Sequence, residues 1–186
     1  MTESKASITQ LAGLVLCGGQ SRRMGSDKGL ILKDGQPWFL QIGNLIASLQ
    51  LPVYFSIRTD QVDAYSMYVN RQSLIVDDSI SEGPLRGVLS AFKEVNAGGL
   101  LVIACDMPEL EISVIESLLN ASAHNHNDFY AYYDGNFYHP FPAIYLRRGV
   151  YAFPAAKSLQ QLLQNGNTFA LSPPDPLLLR DYNQLP

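Results

Sequence analysis

The chain has 186 residues, which is room for about one globular domain at ~150 residues per domain. Hydrophobic residues make up 47% and charged residues 16%, so a core can form, and disorder along the whole chain is excluded. The net charge of −4 argues against a chain-wide binder of nucleic acid or anionic membranes. With no secretory signal core, no apolar run near the ~20 residues of a membrane span and only two cysteines, the sequence predicts a single-domain protein of the reducing cytoplasm.

Short apolar runs alternate with stretches of helical spacing through the first two thirds of the chain. The runs predicted as strands are residues 13–17, 53–57, 74–76 and 100–104. The stretches predicted as helices are residues 38–49, 62–69, 85–95 and 112–119. Near-continuous apolar strands joined by helices indicate a parallel sheet covered on both faces, with right-handed crossovers.

The last third of the chain has a different pattern. A β-hairpin is predicted from two strand-like segments on either side of an Asp-Gly-Asn turn, at residues 128–133 and 137–146. Pro140 and Pro142 predict that the second of these strands is an edge strand or is broken. A helix is predicted at residues 158–164, with Asn165-Gly166 ending it. Two short strands are predicted at residues 168–171 and 177–180, on either side of a proline turn. A smaller, mostly antiparallel part is therefore expected after the parallel α/β part.

A glycine-rich, basic loop follows the first predicted strand, with the sequence GGQSRRMGSDK at residues 18–28. Ligands of open α/β sheets bind beyond the carboxyl ends of the strands, and the loop after the first strand commonly holds phosphate. Gly18 and Gly19 have no Cβ, so backbone N–H groups can approach a phosphate closely. Arg22, Arg23 and Lys28 add three cations that a bound triphosphate would need, but the glycines and arginines alone fit a solvated surface loop better. Neither a Walker loop nor G-x-G-x-x-G is present.

The pattern L-x-G-G-x-S-x-R-M-G-x-D-K resembles the molybdenum cofactor guanylyltransferases, which are MobA-like nucleotidyltransferases. The matching positions are Gly18, Gly19, Ser21, Arg23, Met24, Gly25, Asp27 and Lys28. The resemblance implies an α/β, Rossmann-like nucleotidyltransferase fold, whose mostly parallel central sheet has helices on both faces and a small antiparallel add-on in the C-terminal third. One domain, 1–186, would comprise a nucleotide-binding half at about 11–110 and an acceptor-binding half at about 111–186.

The resemblance also implies an activity. The chain would transfer GMP from Mg²⁺-bound GTP to the phosphate of the molybdopterin cofactor and release pyrophosphate, in molybdenum cofactor biosynthesis. GTP and molybdopterin would be its partners, and it would make transient contact with cofactor-insertion proteins or molybdoenzymes. It would bind neither nucleic acid nor a membrane. Asp106, in the segment Cys105-Asp106-Met107-Pro108, would hold Mg²⁺, an ion that favours carboxylates together with substrate phosphate oxygens. Capping of the next helix is the alternative role for this residue.

The resemblance also implies which residues form the site. The catalytic residues would be Arg23, Lys28 and Asp106. The nucleotide would contact Leu16, Cys17, Gly18, Gly19, Lys28, Ser56, Asp78, Gly83, Pro84, Leu85 and Asp106. His139 and Asn183 would bind the acceptor, although His139 also fits a structural role equally well.

Three departures from the family pattern leave alternatives open. Ser56 stands where the family usually carries Asn, Cys17 replaces Ala, and the final residues depart from N-x-N-T-P. Two alternatives therefore remain open. One is a related transferase that uses CTP or a sugar-phosphate acceptor, and the other is a non-catalytic GTP-binding homologue. Independently of the family, Cys17 and Cys105 each end a predicted central strand. A disulfide closing the loop over the nucleotide is thus a hypothesis, beside the plainer interpretation of two small core residues.

Overall fold

The computed structural model describes residues 10–19, 27–78, 83–173 and 175–179. Its strands are β1 (Leu11–Leu16), β2 (Leu32–Lys33), β3 (Gln36–Pro37), β4 (Val53–Ile57), β5 (Leu74–Val76), β6 (Gly99–Ala104), β7 (Phe129–Tyr133), β8 (Tyr138–Leu146) and β9 (Thr168–Leu171). Its α-helices are α1 (Trp38–Ser48), α2 (Val62–Ser66), α3 (Pro84–Glu94), α4 (Ile112–His124), α5 (Arg147–Ala152) and α6 (Leu159–Asn165). Short 3₁₀ helices cover Lys28–Leu30, Thr59–Gln61, Arg71–Ser73 and Pro176–Leu179.

A seven-stranded sheet in the order β5-β4-β1-β6-β8-β7-β9 forms the centre of the molecule. β1 pairs in parallel with β4 and with β6, and β4 pairs in parallel with β5. The chain first builds outward from β1 to β4 and β5, and then returns to place β6 on the other side of β1. The sheet therefore reverses its winding between β1 and β6, which is where ligands bind in open α/β sheets. The predicted mostly parallel sheet is confirmed.

Helices cover both faces of this sheet, and successive residues of each central strand point to opposite faces. On one face Val15 and Ile103 are buried in a cluster with α1, α2 and α4. On the other face Leu14 and Val102 are buried in a second cluster with α3, α5 and α6. Burial on both faces explains why the strands are continuous apolar runs rather than alternating ones.

The predicted interruption of the second hairpin strand is wrong. β8 runs without a break through Pro140 and Pro142 and is an internal strand between β6 and β7. Two features remove the need for a proline N–H. The β6 ladder involves only the part of β8 from Ala143 to Leu146, and the β7 pairing jumps from Ala143 to His139 across a bulge. Both prolines lie in that bulge, where no ladder donor is required.

Other differences are local. The predicted strand at 177–180 is wrong, because a 3₁₀ helix occupies Pro176–Leu179. The β2–β3 hairpin was missed, although its Asp34-Gly35 turn, with φ of 53° and 77°, is a sequence well suited to a tight hairpin. The antiparallel β7–β8 pair extends the same sheet instead of forming a separate layer. Among the described residues, none of the helices has the length and the apolar composition that crossing a bilayer would take.

Candidate nucleotide site

The carboxyl ends of four parallel strands meet at one edge of the sheet and bring polar residues together there. Cys17 and Gly18 follow β1, Arg58 follows β4, Asp77 follows β5, and Asp106 lies just beyond β6. Main-chain hydrogen bonds continue the ladder across this edge, from Cys17 N to Ser56 O at 2.8 Å and from Cys105 N to Leu16 O at 3.1 Å. The edge therefore holds these residues on a rigid frame.

Lys28 and Asp106 form an ion pair at the point where the sheet reverses its winding. Lys28 Nζ donates to Asp106 Oδ2 at 2.9 Å, and the two side chains are 15% and 13% exposed. The pair thus joins the end of the glycine-rich loop to the end of β6 across 78 residues of sequence. A cation and a carboxylate held side by side and half-buried suit a ligand that carries both phosphate and a bound divalent ion.

The donors present here fit a magnesium ion that the substrate helps to coordinate. Among the described residues, no group of three or more His, Cys, Asp or Glu side chains could hold a metal ion by itself. Asp106 is a lone carboxylate, and Mg²⁺ commonly binds one or two carboxylates and completes its shell with water and substrate phosphate oxygens. The donor set matches that mode and does not match a closed, all-protein cage.

The first turn of α3 packs closely against the ends of β1 and β4, which are neighbouring strands at this edge. Ser56 is buried, with 1% exposure, and Leu16 is partly buried beside it. A Cβ added to Gly87 of α3 would lie 2.3 Å from Ser56 Oγ and 2.6 Å from Leu16 Cδ2. Gly87 therefore lets the helix approach the two strand ends closely. The structure brings together Leu16 and Ser56, both predicted to contact the nucleotide.

Asp77, which was not predicted as a site residue, lies against Ser56 and Gly18 at the same strand ends. Ser56 Oγ donates to Asp77 Oδ1 at 2.6 Å, and a Cβ on Gly18 would lie 2.4 Å from Asp77 Oδ2. Burial raises the pKa of the Asp77 carboxyl, although the Ser56 hydrogen bond and the charge of Arg86 act in the opposite direction. Strand direction was the available signal, because Asp77 is the residue directly after β5.

Asp78, the acid selected from the sequence, lies at the same strand end but is paired with α3. Its carboxylate forms an ion pair with Lys93, and its backbone N–H donates to Ser90 Oγ at 3.1 Å. Gly83 begins α3 with φ of +63°, a conformation that favours glycine, and Pro84 occupies the first helical turn. Leu85 is buried against the sheet, whereas Gly83 and Pro84 are exposed at the rim.

Arg58 contacts the backbone of the glycine-rich loop. Its Nη1 donates to Gly19 O at 3.1 Å and to Gly18 O at 3.4 Å, while Nε and Nη2 bind the Asp60 carboxylate. A trans peptide unit points its carbonyl and its N–H in opposite directions. The Gly19 N–H shares its peptide unit with the Gly18 carbonyl, which accepts from Arg58, so this N–H points away from Arg58. The Asp60 hydrogen bond raises the pKa of Arg58, which stays charged.

The residues predicted for the acceptor are only partly described. His139 lies in β8, which runs antiparallel to β6 and so begins at the same edge of the sheet as Asp106. Its Nε2 is 3.5 Å from Asp134 Oδ2 in the β7–β8 hairpin, where the centroids of the Tyr133 and Tyr138 rings are 4.8 Å apart and the ring planes are tilted by 43°. Arg23 and Asn183 lie outside the described residues.

The two cysteines are neighbours, as the strand order requires. Cys17 and Cys105 follow the paired residues Leu16 and Ala104, and both are buried. Burial first, and then the hydrogen bond with the Cys105 thiol, raise the pKa of Cys17. Because the thiolate is the reactive form and burial also blocks an oxidant, this geometry favours two core thiols over a switchable disulfide.

Known proteins are similar to this chain in sequence and in fold. A family model described as the MobA-like NTP transferase domain matches residues 13–172. The chain is 31% identical to a molybdenum cofactor guanylyltransferase of Pseudomonas putida over 158 residues, which cover 81% of this chain and 80% of the relative. It is 38% identical over 120 residues to a molybdenum cofactor biosynthesis bifunctional protein of Synechocystis sp., covering 63% of this chain and about a third (34%) of that longer protein. Molybdopterin-guanine dinucleotide biosynthesis protein A from Archaeoglobus fulgidus has a similar fold, with a TM-score of 0.70 and 20% identity over 87% of this chain and 83% of that one.

Proposed function

The chain belongs to the MobA-like NTP transferase family, and on that premise we propose that it transfers GMP from GTP to the terminal phosphate of molybdopterin. The observation that carries this proposal is the Lys28–Asp106 pair at 2.9 Å, at the sheet edge where its winding reverses. One partner suits a phosphate and the other a divalent cation, so a metal–triphosphate complex is the ligand that uses both.

The proposed reaction is an in-line displacement at phosphorus. An oxygen of the acceptor phosphate forms a bond to the α-phosphorus of GTP, and the bond from that phosphorus to the bridging oxygen breaks. Pyrophosphate departs with the electron pair, so no covalent enzyme intermediate is needed. The protein then contributes mainly position and charge stabilisation. Lys28 would stabilise charge on the equatorial oxygens and the leaving group, and Arg23 is proposed to share that role.

Asp106 would hold Mg²⁺, which would supply neutralisation of the phosphate charge when bound. Its neighbour Lys28 keeps the carboxylate oriented toward the glycine-rich loop through their hydrogen bond. The Gly19 N–H, which points away from Arg58, would donate to a phosphate oxygen. These three groups would position the triphosphate between the ends of β1 and β6.

The nucleoside is proposed to bind at the ends of β1 and β4, near the start of α3. Leu16, Cys17 and Ser56 would contact it from the strands, and Gly83, Pro84 and Leu85 from the start of α3. Asp77 has a carboxylate next to Ser56, and a carboxylate accepts hydrogen bonds of the kind that guanine N1–H and N2–H₂ donate. Asp78 stays in the proposal as the second acid at that strand end.

The acceptor would lie on the other side of the Lys28–Asp106 pair, toward β8. His139 at the start of that strand and Asn183 are the proposed contacts, which gives the division into a nucleotide half at about 11–110 and an acceptor half at about 111–186. Transient contact with proteins that receive the finished cofactor is part of the same proposal.

A panel of nucleotides tests the proposed substrates. Purified protein is assayed for pyrophosphate release with GTP, CTP, ATP or UTP and Mg²⁺, with and without molybdopterin. We expect release only with GTP and molybdopterin together. In a parallel thermal-shift screen, a nucleotide at 100 times its Kd should add about 2.7 kcal/mol to the free energy of unfolding. Absence of turnover with GTP and molybdopterin would overturn the proposal.

A second candidate differs only in the substrates. Ser56 has no amide, and its hydroxyl already donates a hydrogen bond to Asp77. This site therefore presents different hydrogen-bond donors to a nucleotide than a site with Asn at the same position. This favours testing a transferase that uses CTP or a sugar-phosphate acceptor. Turnover with CTP in the panel above, at a higher kcat/KM than with GTP, would establish this second candidate.

A further inference from the structure

The side chain of Gln61 lies between the two ends of the glycine-rich loop. It is buried, with 3% exposure, in the 3₁₀ helix Thr59–Gln61 that follows β4. Its Nε2 donates to Cys17 O at 3.1 Å, where the loop begins, and to Asp27 Oδ2, where the loop ends. Its Oε1 accepts from Arg58 N at 2.7 Å. Both amide hydrogens and the amide oxygen are therefore used, which fixes the orientation of this side chain.

Asp27 connects this amide to Lys28. Its other oxygen, Oδ1, accepts from Tyr65 O–H at 3.0 Å and from Gly29 N at 3.0 Å, and the residue caps the 3₁₀ helix Lys28–Leu30. A Cβ on Gly29 would lie 2.2 Å from the Tyr65 hydroxyl oxygen, so the chain passes close to that ring only because glycine stands there. The position of the Asp27 carboxylate thus sets the position of the next residue, Lys28.

The network reaches Lys28 through Asp27, and it also reaches the backbone of the glycine-rich loop through Arg58, whose guanidinium contacts the Gly18 and Gly19 carbonyls. Gln61 and Tyr65 pack on the β4 side of the loop, whereas Lys28 Nζ reaches across to Asp106 on β6. Small displacements of a charge-stabilising group reduce catalysis strongly, by up to about 100-fold for about 1 Å. A buried amide that joins both loop ends can prevent such displacement without contacting the substrate.

We propose that Gln61 is a positioning residue that fastens the two ends of the glycine-rich loop and so places the Lys28 ammonium opposite Asp106. Tyr65 supports it by holding the second oxygen of Asp27. The effect on catalysis rests on the function proposed above, whereas the fastening of the loop does not.

The test is a double-mutant cycle of Gln61→Glu with Lys28→Ala. The Glu side chain has the same shape, but as a carboxylate it cannot donate to Cys17 O and repels Asp27. We expect Q61E to lower kcat by about 10- to 100-fold, with a smaller change in the KM for GTP. In the K28A background the same change should cost clearly less than in the wild type, because the part of its effect that acts through Lys28 is already lost. An equal loss in both backgrounds would overturn the proposal.

Two further variants keep the test informative. Gln72→Glu changes an exposed glutamine in the same way and should leave kcat unchanged. Tyr65→Phe removes one donor to Asp27 with little change of volume, so it should show a smaller loss of kcat that is also reduced in K28A. If Q61E does not fold, the Y65F cycle decides the proposal by the same criterion.

Hydrogen–deuterium exchange separates this proposal from the proposed function. Q61E should increase exchange in the peptides that contain Gly18–Gly19 and Lys28–Leu30, while β5 and α4 keep their wild-type protection. This readout needs neither nucleotide nor acceptor. Unchanged exchange at both loop ends would refute the fastening even in an active enzyme, and increased exchange in a protein without transferase activity would support the fastening while the proposed function fails.

Discussion

At the scale of single residues, the two charges at the β1–β6 edge have different surroundings from the charges on the rest of the surface. The Lys28–Asp106 pair is mostly buried, whereas the Lys33–Glu109 pair has the same 2.9 Å separation but side chains 36% and 48% exposed. An exposed pair contributes little to stability, about 0–1 kcal/mol. Equal distances with unequal burial make the second pair a natural control for the first.

Asp106→Asn should abolish most of the transfer activity without unfolding the protein. The amide can still accept the Lys28 hydrogen bond, but it removes the negative charge proposed to bind Mg²⁺. We expect kcat to fall by about 10²- to 10³-fold, or about 2.7–4 kcal/mol of transition-state stabilisation. The assay is pyrophosphate release at saturating GTP and molybdopterin.

Glu109→Gln neutralises the exposed carboxylate, and we expect its kcat to match the wild type. Excess Mg²⁺ should not restore D106N, because the charge itself is missing. If D106N kept activity within about threefold of wild type, the metal role of Asp106 would be contradicted; that margin is below the effect of one charge-stabilising group.

The second residue-scale prediction concerns the buried acid Asp77. Burial raises the pKa of its carboxyl, so the folded protein binds this proton more tightly than the unfolded chain does. The stability that Asp77 contributes is therefore present at low pH and is lost as pH rises through the folded-state pKa. Asn at this position does not titrate, so the melting temperature of Asp77→Asn minus that of wild type should increase from pH 4 to pH 8.

Asp60→Asn is the control of opposite sign for that series. The Arg58 hydrogen bond lowers the pKa of the exposed Asp60 carboxyl, so its contribution to stability appears as pH rises and is lost as pH falls. The D60N difference should therefore decrease or stay flat over the same range. A D77N difference that fell with rising pH would show that the Ser56 hydrogen bond and nearby arginines outweigh burial.

The types of residue in the sequence predicted which residues lie near the site better than they predicted which of them contact one another. Lys28 and Asp106 were both expected near the phosphates from their motifs, but their ion pair joins residues 78 positions apart and depends on β1 and β6 being adjacent. Asp77 was missed because two successive acids point in different directions at a strand end, one toward Ser56 and one toward Lys93. Their sequence alone does not distinguish them.

At the scale of elements, α3 depends on one glycine to approach the sheet. Ala is favoured over Gly in a helix by about 0.5–1 kcal/mol, so Gly87→Ala would stabilise an unpacked helix. Here the added Cβ would lie 2.3 Å from Ser56 Oγ and 2.6 Å from Leu16 Cδ2. Overpacking of this kind costs about 1–3 kcal/mol, and we expect G87A to lower the free energy of unfolding in urea and to weaken GTP binding.

Gly19→Ala is the matched substitution, because among the described residues no atom lies within 4 Å of the Cβ position at Gly19. Its free energy of unfolding without ligand should stay close to that of the wild type. A G87A protein as stable as the wild type would mean that α3 can move away from the strand ends. Close packing of α3 on Ser56 and Leu16 would then not be required for stability.

The elements were predictable where one local pattern controls them. The apolar runs of β4 and β5 matched the structure to the residue, because both strands are buried on two faces. Pro140 and Pro142 misled the prediction for β8, since the bulge that accommodates them depends on β7, a different segment. The 3₁₀ helix Pro176–Leu179 was likewise not distinguishable from a strand by a short apolar run alone.

At the scale of the whole molecule, Arg147 joins the two proposed halves. It begins α5 directly after β8, and its guanidinium donates to the carbonyls of Phe92, Val95 and Ala97 at 2.6–2.9 Å. It also lies 4.7 Å from the centre of the Phe92 ring. The Phe92 carbonyl lies in the last turn of α3 and the other two follow its end, so a residue from the proposed acceptor half satisfies the backbone of the nucleotide half there.

Arg147→Ala should therefore destabilise both halves together. Three carbonyls lose a charged donor, and we expect a loss of about 2–4 kcal/mol in the free energy of unfolding. Arg147→Lys should recover only part of it, since an ammonium lacks the planar fork that reaches several acceptors. Arg148→Ala, which removes an exposed ion pair with Asp128, should cost at most about 1 kcal/mol.

The cooperativity of unfolding shows whether the halves are one unit. Trp38, the single tryptophan, is buried in α1 of the nucleotide half, so its fluorescence follows that half, while far-UV circular dichroism follows the whole chain. Since β6 and β8 are adjacent strands of one sheet, the two signals should change at the same urea concentration in the wild type and, at a lower concentration, in R147A. Separate midpoints in the wild type would show that the β6–β8 ladder does not couple the halves. Separate midpoints in R147A alone would mean that this guanidinium, and not the continuous sheet, makes the molecule a single cooperative unit.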